Sequence, residues 1–177
     1  MQSDKSAFGD LVDTYQRKVF QVALSILNDR DEALTITQEV FMKALRSYEG
    51  FRFDASPETW LVRITINKVR DHLRKERLRR LVFAKPGTLS DREINAVADE
   101  GQSPEEMLRE NQLRSSVKAF QRGLKGRENE VFALRFGNGY SIKEISKATG
   151  LSQSSVKTYL YRALCKAQKH LAEWRNP

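Results

Sequence analysis

Little in this chain is suited to covalent or metal chemistry. A single cysteine, Cys165, excludes an internal disulfide framework, and with only two histidines, His72 and His170, no zinc site can be assembled from Cys and His. The chain has no glycine-rich phosphate loop and no Cys–His pair at useful spacing. Its carboxylates fall on amphipathic helix faces, where solvation accounts for them. The nearest carboxylate grouping, Asp10, Asp13, Asp29 and Asp31, is split between two helix ends, an unsuitable cradle for a nuclease metal. The expectation is therefore a non-enzyme with no cofactor and no metal. Long apolar runs are also missing: none approaches the roughly 20 residues of a membrane-spanning helix, and Met1-Gln2-Ser3-Asp4-Lys5 opens no signal peptide. A cytoplasmic protein without membrane insertion is expected.

What is present is charge, unevenly placed. The 177 residues are 40% apolar, enough for a packed core, and 31 Lys and Arg against 23 Asp and Glu leave a net charge of +8. Residues 1–50 carry a net −2, residues 51–82 +5, residues 83–110 −4 and residues 111–177 +9. Two basic blocks separated by an acidic one suggest two polyanion-binding surfaces joined by a segment that avoids polyanions or imitates one. Within the acidic stretch, Ala84-Lys85-Pro86-Gly87-Thr88 is a turn cluster, and no apolar periodicity is sustained up to Ser103. The predicted organisation is a first domain at 1–82, a flexible acidic linker at 83–103 and a second domain at 104–177.

Both domains read as all-α. Phe8, Leu11, Val12, Tyr15, Val19, Val22, Ala23 and Ile26 follow helical spacing to a break near Asn28-Asp29. A second helix is predicted over 31–48 with Ala33, Ile36, Val40, Phe41, Ala44, Leu45 and Tyr48 inward. Ser56-Pro57 reads as an N-cap followed by proline at the first helical position, starting a third helix to about Arg80. Its inward stripe is Val62, Ile66, Val69 and Leu73, leaving Arg63, Asn67, Arg70, Arg74 and Arg77 outward. Ser103-Pro104-Glu105-Glu106 supplies a capping box for the second domain, and a further helix is predicted from Arg127 to Phe136, ended by Gly137-Asn138-Gly139.

The strongest local pattern runs from Ser141 to Leu164. A capping box (Ser141, Glu144), a short helix, Gly150 at the turn, Leu151 as an apolar plug, Ser152 as an N-cap and a long amphipathic helix stand in the order of a helix-turn-helix. Ile142, Ile145, Ala148, Leu151, Val156 and Leu160 would form its small core. On a helical wheel, Val156, Leu160, Ala163, Leu164 and Ala167 share one side of the last helix, and Ser154, Ser155, Thr158, Tyr161 and Arg162 the other, with Lys157 at the flank. Short hydroxyls, an aromatic and two cations suit a DNA major groove. Tyr140 and Tyr159 read as core or domain-edge aromatics and Cys165 as a spectator. In the first domain, Phe51, Phe53 and Trp60 lie beside cations from Arg52 to Arg80. They fit either a three-helix core or a platform on which single-stranded bases stack.

Taken together, these blocks resemble the extracytoplasmic-function (ECF) group of bacterial RNA polymerase sigma factors over nearly the whole length. Asp31-Glu32-Ala33 followed by Gln38-Glu39-Val40-Phe41-Met42-Lys43-Ala44 looks like the family's polymerase-binding helix, which implies contacts from Gln38, Glu39, Phe41 and Lys43. In between, Leu34-Thr35-Ile36-Thr37 departs from the acidic-Leu pair usual there. Thr59-Trp60-Leu61-Val62-Arg63-Ile64 with Asn67 and Asp71-His72-Leu73-Arg74 looks like the promoter-melting helix. By resemblance, Phe53, Asp54 and Ser56 would receive a flipped base of the minus-ten element, with Trp60, Arg63, Asn67, Arg70 and Arg74 holding its neighbours. Glu130-Val131-Phe132-Ala133-Leu134-Arg135, Ser141 to Gly150 and Ser155 to Ala163 look like the fourth conserved region, implying minus-35 contacts from Ser154, Ser155, Lys157, Thr158, Tyr161 and Arg162.

The resemblance implies an alternative sigma factor that binds core RNA polymerase and promoter DNA, is restrained by an anti-sigma factor, and is of the compact kind without an appended sensory domain. The rival is a stand-alone helix-turn-helix regulator, which requires an apolar ligand pocket or dimer face and a palindromic site.

Overall fold

The computed structural model describes residues 2–48, 56–83, 115–117, 119–121 and 123–175. The described residues are helical apart from their turns: α1 (Gln2–Leu27), α2 (Arg30–Ser47), α3 (Pro57–Phe83), α4 (Arg127–Phe132) with a π-helical turn (Ala133–Gly137), α5 (Ile142–Thr149) and α6 (Gln153–Arg175). Helical residues at 115–117, 119–121 and 123 precede α4. The expected linker, the Ser103 capping box and the loop residues Phe51, Phe53 and Asp54 lie outside the described residues.

Local chemistry sets the helix ends. Asn28 takes a left-handed φ of 55°, breaking α1 from α2, and Asp29 caps α2 by accepting from the Glu32 N–H at 2.9 Å. Ser56 Oγ accepts from the Thr59 N–H at 3.2 Å at the start of α3, with Pro57 in the first helical position. The capping box predicted at Ser141 is complete: Glu144 N–H donates to Ser141 Oγ, and Ser141 N–H donates to Glu144 Oε2 at 2.8 Å. Gly150, at φ 75°, ends α5 in the left-handed conformation that only glycine adopts without strain. Ser152 Oγ then caps α6 by accepting from the Ser155 N–H at 3.1 Å.

Helical periodicity builds the core. Val19, Val22, Ala23 and Ile26 of α1 meet Ala33, Ile36, Val40 and Ala44 of α2 and Leu61, Val62, Ile66 and Val69 of α3. The same buried cluster continues without a break into Val131, Ala133 and Leu134, then Tyr140, Ile145, Ala148, Val156 and Leu160. The two halves of the chain therefore share apolar contact. Phe120, Leu124 and Ala163 form a smaller cluster behind α6. At Gly137 a Cβ would lie 3.3 Å from Ser25 Cβ, so a bare backbone lets the π turn approach α1.

Three inward assignments need correction. Leu45 is 55% exposed because it lies on the opposite side of α2 from the stripe of Ala33, Ile36, Val40 and Ala44. Leu73 is 42% exposed: it follows the helical stripe, but α3 outruns its cover, and no side chain between 71 and 82 is buried. Leu164 is 44% exposed because it sits at the edge of the apolar face, on the flank that also carries Lys157. The helix predicted over 127–136 is also wound differently, its second half opening into the π turn.

Candidate nucleic-acid interface

Two helical faces carry the groups suited to nucleic acid. On α3, Arg63, Asn67, Arg70 and Arg74 recur at spacings of four, three and four residues and so form one stripe. Arg63, Asn67 and Arg74 are exposed and Arg70 is half-buried. Ser56 is exposed at the helix start, and Trp60 is half-buried against the core. Arg74 pairs with Asp71 at 3.0 Å on the exposed end.

On α6, Ser154, Lys157, Thr158, Tyr161 and Arg162 are exposed and Ser155 is half-buried. Tyr161 is 70% exposed, a large aromatic held out from the protein. Val156, Leu160 and Ala163 pin the opposite face to α5 and the rest of the core. The helix-turn-helix core is as the sequence predicts, with Ile145, Ala148, Val156 and Leu160 buried and Ile142 and Leu151 packed against them.

A third face, on α2, is neither basic nor buried. Leu34, Gln38, Phe41, Met42 and Leu45 follow one another around the outer side of the helix. Leu34, Met42 and Leu45 are 45%, 56% and 55% exposed, an apolar strip bordered by the exposed Gln38, Glu39 and Lys43. Glu39 accepts from Lys68 Nζ at 2.8 Å, and that hydrogen bond holds its carboxyl below the ordinary glutamate range. Phe41 is half-buried against the core.

The α3 stripe is also where the two halves meet. Arg70 donates from Nε to Glu130 Oε1 and from Nη2 to Glu130 Oε2, both at 2.8 Å. It also donates to Asn67 Oδ1 at 3.3 Å and to the Thr149 carbonyl at 3.4 Å. Arg127 Nη1 adds a second cation, 3.2 Å from Glu130 Oε2. Burial pushes the Glu130 carboxyl above its ordinary range, with the Arg70 guanidinium pulling it back. Arg63 donates to the Lys147 carbonyl at 2.8 Å.

Nearby, Tyr140 donates its hydroxyl proton to Glu58 Oε1 at 2.7 Å. Burial first, then the Glu58 carboxylate, pushes its ionisation far above the usual tyrosine range. Lys18 lies over the Tyr140 ring, 4.6 Å from its centre, and donates to the Asn138 carbonyl at 3.2 Å. Asn138 donates to Ser25 Oγ at 2.8 Å, and Asn129 to the Ile26 carbonyl at 2.9 Å. Glu58 and Lys18 stand in none of the sequence motifs, and Glu130 stands in one only as its first residue, with no role of its own. No local pattern marks residues whose partners lie more than 50 positions away.

Residues 11–79, spanning most of α1 through α3, match the family Sigma-70 region 2, and residues 122–166, from before α4 into α6, match Sigma-70, region 4. Over 168 residues the chain is 30% identical to the ECF RNA polymerase sigma factor SigX of Bacillus subtilis, covering 94% of this chain and 84% of that one. This chain belongs to the ECF group of RNA polymerase sigma factors.

The RNA polymerase sigma-H factor of Pseudomonas aeruginosa is 31% identical over 166 residues, covering 92% of this sigma factor and 84% of that relative. In fold, it is similar to the sigma factor RpoE of Bartonella quintana, solved in complex with the anti-sigma factor NepR. The TM-score is 0.72 at 20% identity, over 94% of this chain and 97% of that one. CnrH, solved with the cytosolic domain of CnrY, gives a TM-score of 0.65 at 24% identity, over 96% and 90% of the two chains. As an alternative sigma factor, the protein directs transcription initiation with RNA polymerase. Its family is not a class of enzymes. Among the described residues no helix is long and apolar enough to cross a membrane.

Proposed function

We propose a division of labour among the three faces. The outer side of α2, through Gln38, Glu39, Phe41 and Lys43, docks on core polymerase; the exposed apolar strip of Leu34, Met42 and Leu45 is the observation that supports this. The α3 stripe of Arg63, Asn67, Arg70 and Arg74, with Trp60 and Ser56, holds the separated strand of the minus-ten element, and the preceding Phe53 and Asp54 receive a flipped base. Binding an unstacked base offsets the few kcal/mol needed to unpair it, so strand opening requires no hydrolysis, and no catalytic role is assigned. Ser154, Ser155, Lys157, Thr158, Tyr161 and Arg162 read the minus-35 element as duplex through the major groove.

The units are residues 1–82 and 104–177, with the acidic 83–103 between them, and the protein acts in the cytoplasm. Likeness to RpoE, solved with the anti-sigma factor NepR, and to CnrH, solved with the cytosolic domain of CnrY, supports an anti-sigma protein as a further partner.

The observation that carries this reading is the pairing of a basic α3 stripe with a capped helix-turn-helix whose outward face is free. Run-off transcription with purified core polymerase on a pool of promoter fragments tests it. Transcripts that require this protein and disappear with Arg63→Ala plus Asn67→Ala are the expected result. Tight binding to a palindromic duplex without any association with core polymerase would favour the stand-alone regulator.

A further inference from the structure

The outward side of α3 does not stop at the proposed minus-ten stripe. Beyond Arg74 the helix runs on to Phe83, and there Arg77, Leu78, Leu81 and Val82 are all exposed, Leu78 by 56% and Leu81 by 72%. Arg63, Asn67, Arg70 and Arg74 follow one another at steps of four, three and four residues. Leu78 and Leu81 come next at four and three, which keeps them on the same side, with Arg77 at its edge. From Arg63 to Leu81 the helix makes about five full turns at about 3.6 residues each, so the two side chains stand in line. The other cations of this end, Arg79 and Arg80, both pair with Glu76 on the opposite side.

Leucines this exposed, in line with a charged stripe, mark an interaction surface. A second copy of this face is a poor occupant, because it would set Arg74 and Arg77 against their equals. An anionic membrane would suit both leucines and arginines, but it gives no reason for their alignment with a strand-binding stripe. Duplex DNA continuing past Arg74 meets both requirements. Its phosphates pair with Arg74 and Arg77, and thymine, alone among the four bases, presents a methyl group in a major groove wide enough for a helix.

We propose that Arg77, Leu78 and Leu81 extend the promoter contact of α3 by reading thymine methyl groups in the duplex just upstream of the minus-ten element. The proposal rests on the assignment of the α3 stripe to the minus-ten strand. Its direction follows from the chain, which leaves α3 at Phe83 toward the half proposed to read the minus-35 element. From Arg74 to Leu81 the helix rises about 10 Å, the length of about three base pairs at about 3.4 Å each.

The test uses holoenzyme assembled from the full-length protein and core polymerase. Its DNA is a promoter recovered from the run-off pool and rebuilt with thymine at each of the three upstream base pairs. Benzophenone maleimide attached to Leu81→Cys, in a Cys165→Ser background, should cross-link on irradiation to DNA within those base pairs. Replacing the thymidines one at a time with deoxyuridine removes only the methyl group. At one or more positions this should weaken binding of the parent holoenzyme about fourfold, the equivalent of about 0.8 kcal/mol for one buried methyl carbon. Leu78→Ser plus Leu81→Ser should bind the thymine promoter at least as weakly as that, be indifferent to deoxyuridine, and keep the parent's thermal stability.

Cross-linking to polymerase alone, or to a second copy of the chain, would overturn the contact. An equal response to deoxyuridine in the parent and the serine variant, or none in either, would overturn methyl reading. Permanganate footprinting of the same complexes tests the underlying assignment separately, since Arg63→Ala plus Asn67→Ala should abolish strand opening. Opening that persists in that variant, or a holoenzyme that opens no promoter in the pool, removes the α3 assignment and the extension with it. Opening that is lost there while Leu81→Cys fails to reach DNA removes the extension alone.

Discussion

Arg70 and Glu130, separated by 60 positions in the chain, meet through two parallel 2.8 Å hydrogen bonds that tie α3 to α4. The Glu130 side chain is 6% exposed and that of Arg70 26%, so the pair is shielded on one side and wet on the other. Such a fork is directional, fixing the rotation of α4 against α3 as well as their approach.

Removing one partner leaves the other without its counter-charge. Glu130→Ala should lower stability by about 2 kcal/mol, below the cost of breaking a fully buried pair because water still reaches Arg70. Urea unfolding monitored by circular dichroism measures it. An unchanged midpoint would show that the pair contributes nothing net.

The capping box at the start of α5 predicts a pH dependence. Its hydrogen bonds with Ser141 hold the Glu144 carboxyl below the ordinary value. A depressed carboxyl contributes stability that is present above its unfolded pKa and is lost as pH falls through the lower, folded one. Acidification through and below the glutamate range should therefore loosen the helix-turn-helix, and Glu144→Gln should remove that component of the pH profile. Thermal unfolding at a series of pH values checks the sign. Ser141→Ala should cost about 1 kcal/mol at neutral pH.

Tyr140 should resist ionisation. Burial and the Glu58 carboxylate both oppose a phenolate, so in a spectrophotometric titration of the folded protein one tyrosine of five should remain protonated after the others have titrated. Tyr140→Phe should abolish the difference and destabilise by about 1.5 kcal/mol, the scale of a hydrogen bond to a charged group.

The exposed faces can be separated from folding. Met42→Glu, on a residue 56% exposed, should leave thermal stability within about 0.5 kcal/mol of the parent. It should still weaken co-purification with core polymerase. Arg162→Ala should likewise spare folding but weaken minus-35 duplex binding by about 1–3 kcal/mol, read by fluorescence anisotropy. In contrast, Ile66→Ala, at a fully buried core position, should cost about 3 kcal/mol and impair every activity together.

Much of the architecture was legible residue by residue. Asn28-Asp29 stopped one helix and capped the next, Ser56-Pro57 and Ser141 to Glu144 started theirs, and Gly150 supplied the left-handed turn, because each signal acts within one turn of chain. The wheel of α6 correctly separated Val156 and Leu160 from Thr158 and Tyr161. Helical spacing alone misplaces Leu45 on α2, Leu73 on α3 and Leu164 on α6, because an apolar residue in helical register is buried only where another element covers it. Leu73 kept the spacing but had no cover, and Leu45 belonged to the outer strip of α2.

By itself, then, the sequence determined the helices, their caps, the apolar stripes, the helix-turn-helix and the segregation of charge, all properties of residues within a few positions of one another. Only the tertiary structure decided that Arg63 and Arg70 face Lys147 and Glu130, that Tyr140 meets Glu58, and that one core runs through both halves. Those pairings depend on two preformed surfaces finding each other across 60 to 84 positions of chain, and at that distance periodicity and capping carry no information.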